Sequence, residues 1–174
     1  MALTTVFLSG CDKVEDLSDF KFNSEFEESI PMKDESTGEN KAYSQNIVID
    51  LTTDSQIKTY ESKIKSITIE KLTYTIDDSK NPTTSADATF SGTMSFSDKN
   101  GNGTTGTTTI KDLKLNDHTT VHELTIAQAD LDKIAGYLKN DKAVKVSMAG
   151  TVSKTPINII VNVQIKVVVT SNVL

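Results

Sequence analysis

Asp98, Asn100 and Asn102, followed by Gly103, place oxygen-bearing side chains at alternate positions of a glycine-rich stretch, as the opening of a calcium loop does. The later part of that pattern fails. The position where an EF-hand supplies its bidentate Glu is Thr109, and strand-like sequence flanks the segment. A polar hairpin turn, with Asn and Gly taking positive φ, accounts for the same residues, and neither a metal nor a cofactor is expected. His118 and His122 lie four apart with Glu123 adjacent, a spacing that on a helix would put both imidazoles on one face, as zinc requires. Thr119, Thr120, Val121 and Thr125 favour extended backbone instead, and four residues of strand separate the rings by roughly 13 Å. One metal cannot bridge that gap, so two exposed polar histidines are expected.

Asp77 with Asp78, and Asp130 with Asp132, are the paired carboxylates that could do acid/base work. Catalysis needs one carboxylate in an apolar pocket with a raised pKa and a partner several ångströms away. Asp77 and Asp78 fall in a turn, and Asp130 and Asp132 fall on the polar face of a predicted helix, where they complement its N-terminal dipole. Tyr43, Tyr60, Tyr74 and Tyr137 could stack against a sugar, but they are scattered over four elements. Three of them lie on or beside apolar stripes; Tyr43 alone reads as free. No activated nucleophile accompanies any of these groups, and no catalytic residue is assigned.

The one Cys of the chain, Cys11, follows Leu8, Ser9 and Gly10, at the end of an apolar run through Met1, Ala2, Leu3, Val6 and Phe7. The run suits a signal-peptide core and is too short to span a bilayer. Leu8-Ser9-Gly10-Cys11 resembles the lipobox of bacterial lipoproteins, a resemblance confined to residues 1–11. It implies that the Cys11 thiol receives a diacylglyceryl group and that Cys11 becomes the mature N-terminus once residues 1–10 are removed. No Lys or Arg precedes Lys13, which implies that the basic part of the signal peptide lies upstream of Met1. The alternative is a buried N-terminal strand carrying a free thiol. Residues 11–19 would form an acidic tether, and in lipoproteins of the Bacteroidota type an acidic patch behind the Cys resembles a signal for display on the outer membrane's outer face. Glu15 and Asp16 match it loosely, so surface and periplasmic orientations both stay open.

A chain of 174 residues with a single thiol fits one domain, 20–174, whose core must stand without an intramolecular disulfide. Its net charge of −6 provides no electrostatic footprint for nucleic acid. Arg and Trp are both missing, which removes the usual forks for phosphate and the strongest stacking platform. Thr is the commonest residue and Ile and Val are abundant, which favours strands.

Apolar alternation predicts a first strand over Phe20–Ile30 ending near Pro31, a polar loop over 33–42 and a second strand around Ile47–Leu51, the two forming a hairpin. Asp54 can cap a short helix carrying Ile57, Tyr60 and Ile64. Ile67 and Ile69 share one parity and Leu72, Tyr74 and Ile76 the other, which predicts a β-bulge at Glu70 or Lys71. Ala88 to Phe96 and Ile110 to Leu115 read as a hairpin around the Asp98–Gly106 turn. Thr125 and Gln128 have capping-box spacing ahead of a helix carrying Leu131, Ile134 and Leu138. Two long strands follow, from Val144 to Val152 and, after Pro156, from Ile157 to Val169.

These elements predict an all-β fold, mainly an antiparallel β-sandwich of six to eight strands, with two short helices near 54–64 and 126–139. The expected function is that of a lipid-anchored binding, adhesion or assembly module of the cell envelope without catalytic activity. Its partners would be the outer membrane, through Cys11, and an envelope protein or glycan. A periplasm-facing carrier with an apolar ligand between the sheets, helped by Ile160 and Val168, is the alternative. A hydrolase is the remote one.

Overall fold

The computed structural model describes residues 19–77, 84–118 and 120–172. The expected signal segment, Cys11 and the expected tether before Asp19 lie outside the described residues, as do Asp78 and Pro82. The elements run β1 (Asp19–Asp50), α1 (Ser55–Tyr60), β2 (Ile64–Asp77), β3 (Thr89–Ser97), β4 (Thr105–Lys114), β5 (His122–Glu123), α2 (Gln128–Asp141) and β6 (Ala143–Asn172). The class is all-β with two short helices, and every strand pairing is antiparallel.

β1 and β6 pair along almost their whole lengths, from Asp19 opposite Asn172 to Asp50 opposite Ala143. On its other side β6 pairs first with β3, through Lys145–Val152, and then with β2, through Ile160–Ser171. β4 extends the β3 side and β5 the β2 side, so one continuous sheet has two arms that share a β1/β6 ribbon.

The ribbon doubles back between the arms. Between Asp34/Ile157 and Gly38/Thr155, β1 has three residues where β6 has only Pro156, and Asn40 takes a φ of 51°, a left-handed conformation that Asn tolerates. Asp34 closes the bend by accepting from the backbone N–H and hydroxyl of Ser36, at 2.9 and 2.7 Å. Beyond the bend, the Tyr43 hydroxyl donates to the Pro31 carbonyl at 2.6 Å. Twelve residues of straight strand would span roughly 40 Å, so this contact requires β1 to fold back on itself. Ser24 likewise donates to Asp54 at 2.9 Å across the folded ribbon. The sandwich's two layers are therefore the arms of one sheet.

Both ribbon strands switch inward parity at the bend. Phe26, Ile30 and Met32 point inward before it and Ile49 after it, while in β6 Val144, Val146 and Met148 give way to Ile157, Ile159 and Val161. From Ile157 to Val169 the seven inward side chains are each at most 2% exposed. Burying each contributes about 1.5–3 kcal/mol, against about 0–1 for a surface ion pair such as Lys166 with Glu25 at 2.8 Å. Apolar burial along the ribbon therefore dominates.

Two boundaries expected from the sequence are corrected. Pro31 does not end a strand, and 33–42 is not a hairpin loop, because β6 rather than the second half of β1 is the pairing partner. Pro31 is tolerated because β1 is an edge strand. β6, expected as two strands, runs through Pro156 as one; there β3 has already stopped and β2 has not begun, and Ser85 donates its N–H to the free Pro156 carbonyl at 3.0 Å.

The bulge in β2 is at Glu70, where Ile69 pairs with Val167 and Lys71 with Lys166. Asp54 caps α1 by accepting from the N–H groups of Gln56 and Ile57, at 2.7 and 3.1 Å, with single 3-10 turns on either side of the helix. α2 begins after Ala127 without a side-chain cap. The expected Thr125–Gln128 box does not form, because the helix starts two residues later than that spacing requires, with Ala127 rather than Thr125 at the N-cap position; the Gln128 amide donates to Asp132 at 2.8 Å. α2 buries Ile134 and Leu138 against β2, β4 and β6, filling the side of the core away from β1.

Gly92 and Gly150 face each other across β3 and β6, and the Phe90 ring covers both. A Cβ on Gly150 would lie 2.3 Å from the Ser91 carbonyl oxygen and 2.6 Å from the Gly92 Cα. Because backbone must shift to admit it, Gly150→Ala is expected to destabilise the fold by about 3 kcal/mol, at the upper end of overpacking, read by urea denaturation. Tyr43→Phe removes only the hydroxyl that ties the bend and should cost about 1 kcal/mol by the same measurement; no change would mean that the tie does not stabilise the bend.

Candidate functional site

The Asp98–Gly106 loop is a braced turn. The Asp98 carboxylate accepts from the N–H groups of Asn100 and Asn102, at 2.9 and 2.7 Å, and from the Asn102 amide at 3.2 Å. These bonds hold its pKa below the ordinary carboxylate value, the backbone bond from Asn102 being the largest cause. Gly101, Gly103 and Gly106 take φ values of 93°, 65° and 59°. The Tyr137 hydroxyl of α2 donates to the Gly103 carbonyl, which fixes the loop's tip to the helix. The residues of the calcium-loop reading thus meet each other: Asp98 oxygens are engaged by the turn's own donors. Among the described residues no group of three or more His, Cys, Asp or Glu side chains is arranged to hold a metal ion.

His118 is exposed, whereas His122 on β5 is half-buried and stacks on Tyr74, with centroids 4.8 Å apart and planes within 13°. The expectation of two exposed histidines therefore fails at His122. Its register opposite Tyr74 turns it toward the core edge, and its Nε2 is buried without a hydrogen-bond partner.

Asp130 is more than a solvated residue on the helix. It accepts from the Thr105 hydroxyl of β4 and from Lys133 Nζ at 3.2 Å, so the first turn of α2 is stitched to the sheet. The Thr105 bond is the main cause holding its pKa down. Asp132 is taken up by Gln128. Tyr43 is not free: it meets Phe90 edge-on at 6.4 Å, and desolvation pushes its hydroxyl pKa up to about 12. Tyr60 packs against Phe20 at 4.7 Å. Ile160 and Val168 lie on the outer face of the sheet, on the parity opposite the buried row, so they do not line a space between the arms.

The folded ribbon creates a feature that local sequence reading missed. Glu25, Glu27 and Glu28 come beside Asp50 and Asp54 around a surface cleft of about 230 Å³. No motif signals it, because the two segments converge only when β1 doubles back. Asp50 and Asp54 each accept backbone N–H bonds at a helix start, and Glu25 pairs with Lys166; five carboxylates around one cleft give it a negative field.

The lowered pKa values of Asp98, Asp130 and Asp34 set an acid limit on stability, since their ionised forms are bound by native hydrogen bonds. A depressed native pKa stabilises the fold above the unfolded value of 3.8, and that contribution is lost as pH falls through the native pKa. The melting temperature should fall below about pH 4, and Asp98→Asn should lower it at about pH 6, with the gap narrowing as the pH falls below about 4. A gap independent of pH would assign the effect to something other than the carboxylate charge.

No family model matches the chain, and no curated protein matches it. Among solved structures, one titled Desmodium yellow mottle tymovirus is similar over 88% of this chain and 84% of its own, with 12% sequence identity and a TM-score of 0.37.

Proposed function

We propose that this chain is a lipid-anchored module of the bacterial cell envelope, held at the outer membrane through Cys11, whose β domain binds or assembles with an envelope partner and does not catalyse a reaction. The observation that carries the reading is Leu8-Ser9-Gly10-Cys11 at the end of an apolar run, with Cys11 the chain's sole thiol. Two or more acyl chains give durable membrane attachment where one gives only marginal binding. Within the described residues, Asp98, Asp130, Asp50 and Asp54 serve turns, caps and helix docking, which fits a scaffold whose recognition is by surface. No helix among those residues is long and apolar enough to cross a membrane.

Intact mass spectrometry of the chain expressed in a bacterial host with a complete signal peptide should show loss of residues 1–10 and the added mass of acyl chains. Cys11→Ser should move the protein from the membrane fraction to the soluble one. An unmodified full-length chain, or a Cys11→Ser variant that still sediments with membranes, would overturn the reading.

A further inference from the structure

Among the described residues, free edges lie along β1, β4 and β5 and along the part of β2 outside its pairing with β5, where Lys65, Glu70, Lys71 and two register shifts interrupt it. Sheet edges invite pairing with other chains unless they are short, bulged, charged or interrupted by Pro. β5 is two residues long. β4 contains Lys111, Asp112 and Lys114, and its pairing with β3 is broken by two register shifts. The first half of β1 contains Pro31 and the charges of Lys21, Glu25, Glu27, Glu28 and Lys33, and it ends in the bend. Ala42–Ile49 has none of these guards. Its eight residues are uncharged, free of Pro and Gly, and in unbroken register with β6. It also carries Val48, at 43% exposure one of two exposed large apolar side chains among the described residues.

The charge around this edge selects what can join it. Ile49 and Asp50, at its C-terminal end, line the cleft shared with Glu25, Glu27, Glu28 and Asp54. A basic end on an incoming antiparallel strand would meet that rim with opposite charge, the complement that steers and orients pairing. We propose that the Ala42–Ile49 edge is a β-strand addition site for an extended peptide of another protein that pairs antiparallel, with uncharged residues along the edge and basic residues at its N-terminal end over the acidic cleft. Main-chain hydrogen bonds supply the affinity and the carboxylates fix the direction. This names the partner class of the binding module proposed above and rests on that reading, but it does not depend on the lipid anchor.

The test uses the full chain, isotope-labelled, and a synthetic probe of two lysines followed by eight alternating Thr and Val residues. Addition of the probe should shift the amide resonances of residues 42–49 and slow their hydrogen exchange at least about tenfold, since newly paired amides exchange only on opening. Moving the lysines to the C-terminal end of the probe, or the double variant Glu27→Gln/Glu28→Gln, should weaken binding about fivefold at low salt, with the difference shrinking at higher salt. Ser44→Lys/Asn46→Lys should abolish binding while keeping the melting temperature. Should that variant not fold, the resonance map and salt dependence of the unmodified chain decide. No binding at about 1 mM probe, shifts confined to β4 or β5, equal binding of both lysine placements, or self-association through 42–49 in sedimentation would each overturn the proposal. Because Cys11→Ser leaves the edge intact, loss of anchoring and loss of peptide pairing are separately readable.

Discussion

A two-stranded ribbon some thirty residues long has an apolar face that, left straight, has nothing to bury it. β1 and β6 meet that constraint by folding in half, so that one end of the ribbon's face packs against the other. Pro156 lies where β1 has extra residues and where neither β3 nor β2 pairs with β6, so its missing N–H falls at a point with no ladder to break. β2 and β3 can then add to different stretches of the same side of β6, and α2 fills the flank that remains. The Gly92–Gly150 pair belongs to the same arrangement: without side chains there, the Phe90 ring can lie flat across two strands and reach Tyr43.

Much of this was legible in the residue pattern, because parity is a strong local signal. The inversion between Ile69 and Leu72 located the Glu70 bulge, and Asp54 announced the start of α1 through an ordinary side-chain cap. The segment 33–42 was misread for a physical reason. An edge strand at a bend is wet on several sides, so it carries loop-like Lys, Glu, Ser and Gly while still pairing with β6. Its partner lies more than a hundred residues away, and nothing local distinguishes pairing with β6 from a hairpin. The capping-box spacing at Thr125 fails for another reason: the helix begins at Gln128, so Ala127, which has no side-chain oxygen, holds the N-cap position.

Side chains whose types suggested chemistry turn out to hold the scaffold. Asp98 braces its turn, Asp130 ties α2 to β4, and Tyr43 spans the bend. The acidic cleft is the reverse case, since Glu25 to Glu28 and Asp50 to Asp54 are unremarkable in sequence and are united only by tertiary structure. The recognition proposed above uses the β1 edge and the field of that cleft together.

Asp19 stands opposite Asn172, so the two described ends of the chain leave the domain side by side. That has a mechanical consequence. Tension between those ends would open the β1–β6 ladder one pair at a time, each pair bearing the load alone. Tension applied along β1 from Asp19 toward the bend would instead load many hydrogen bonds together in shear. The ribbon that organises the core is therefore a zipper in one direction and a strap in another.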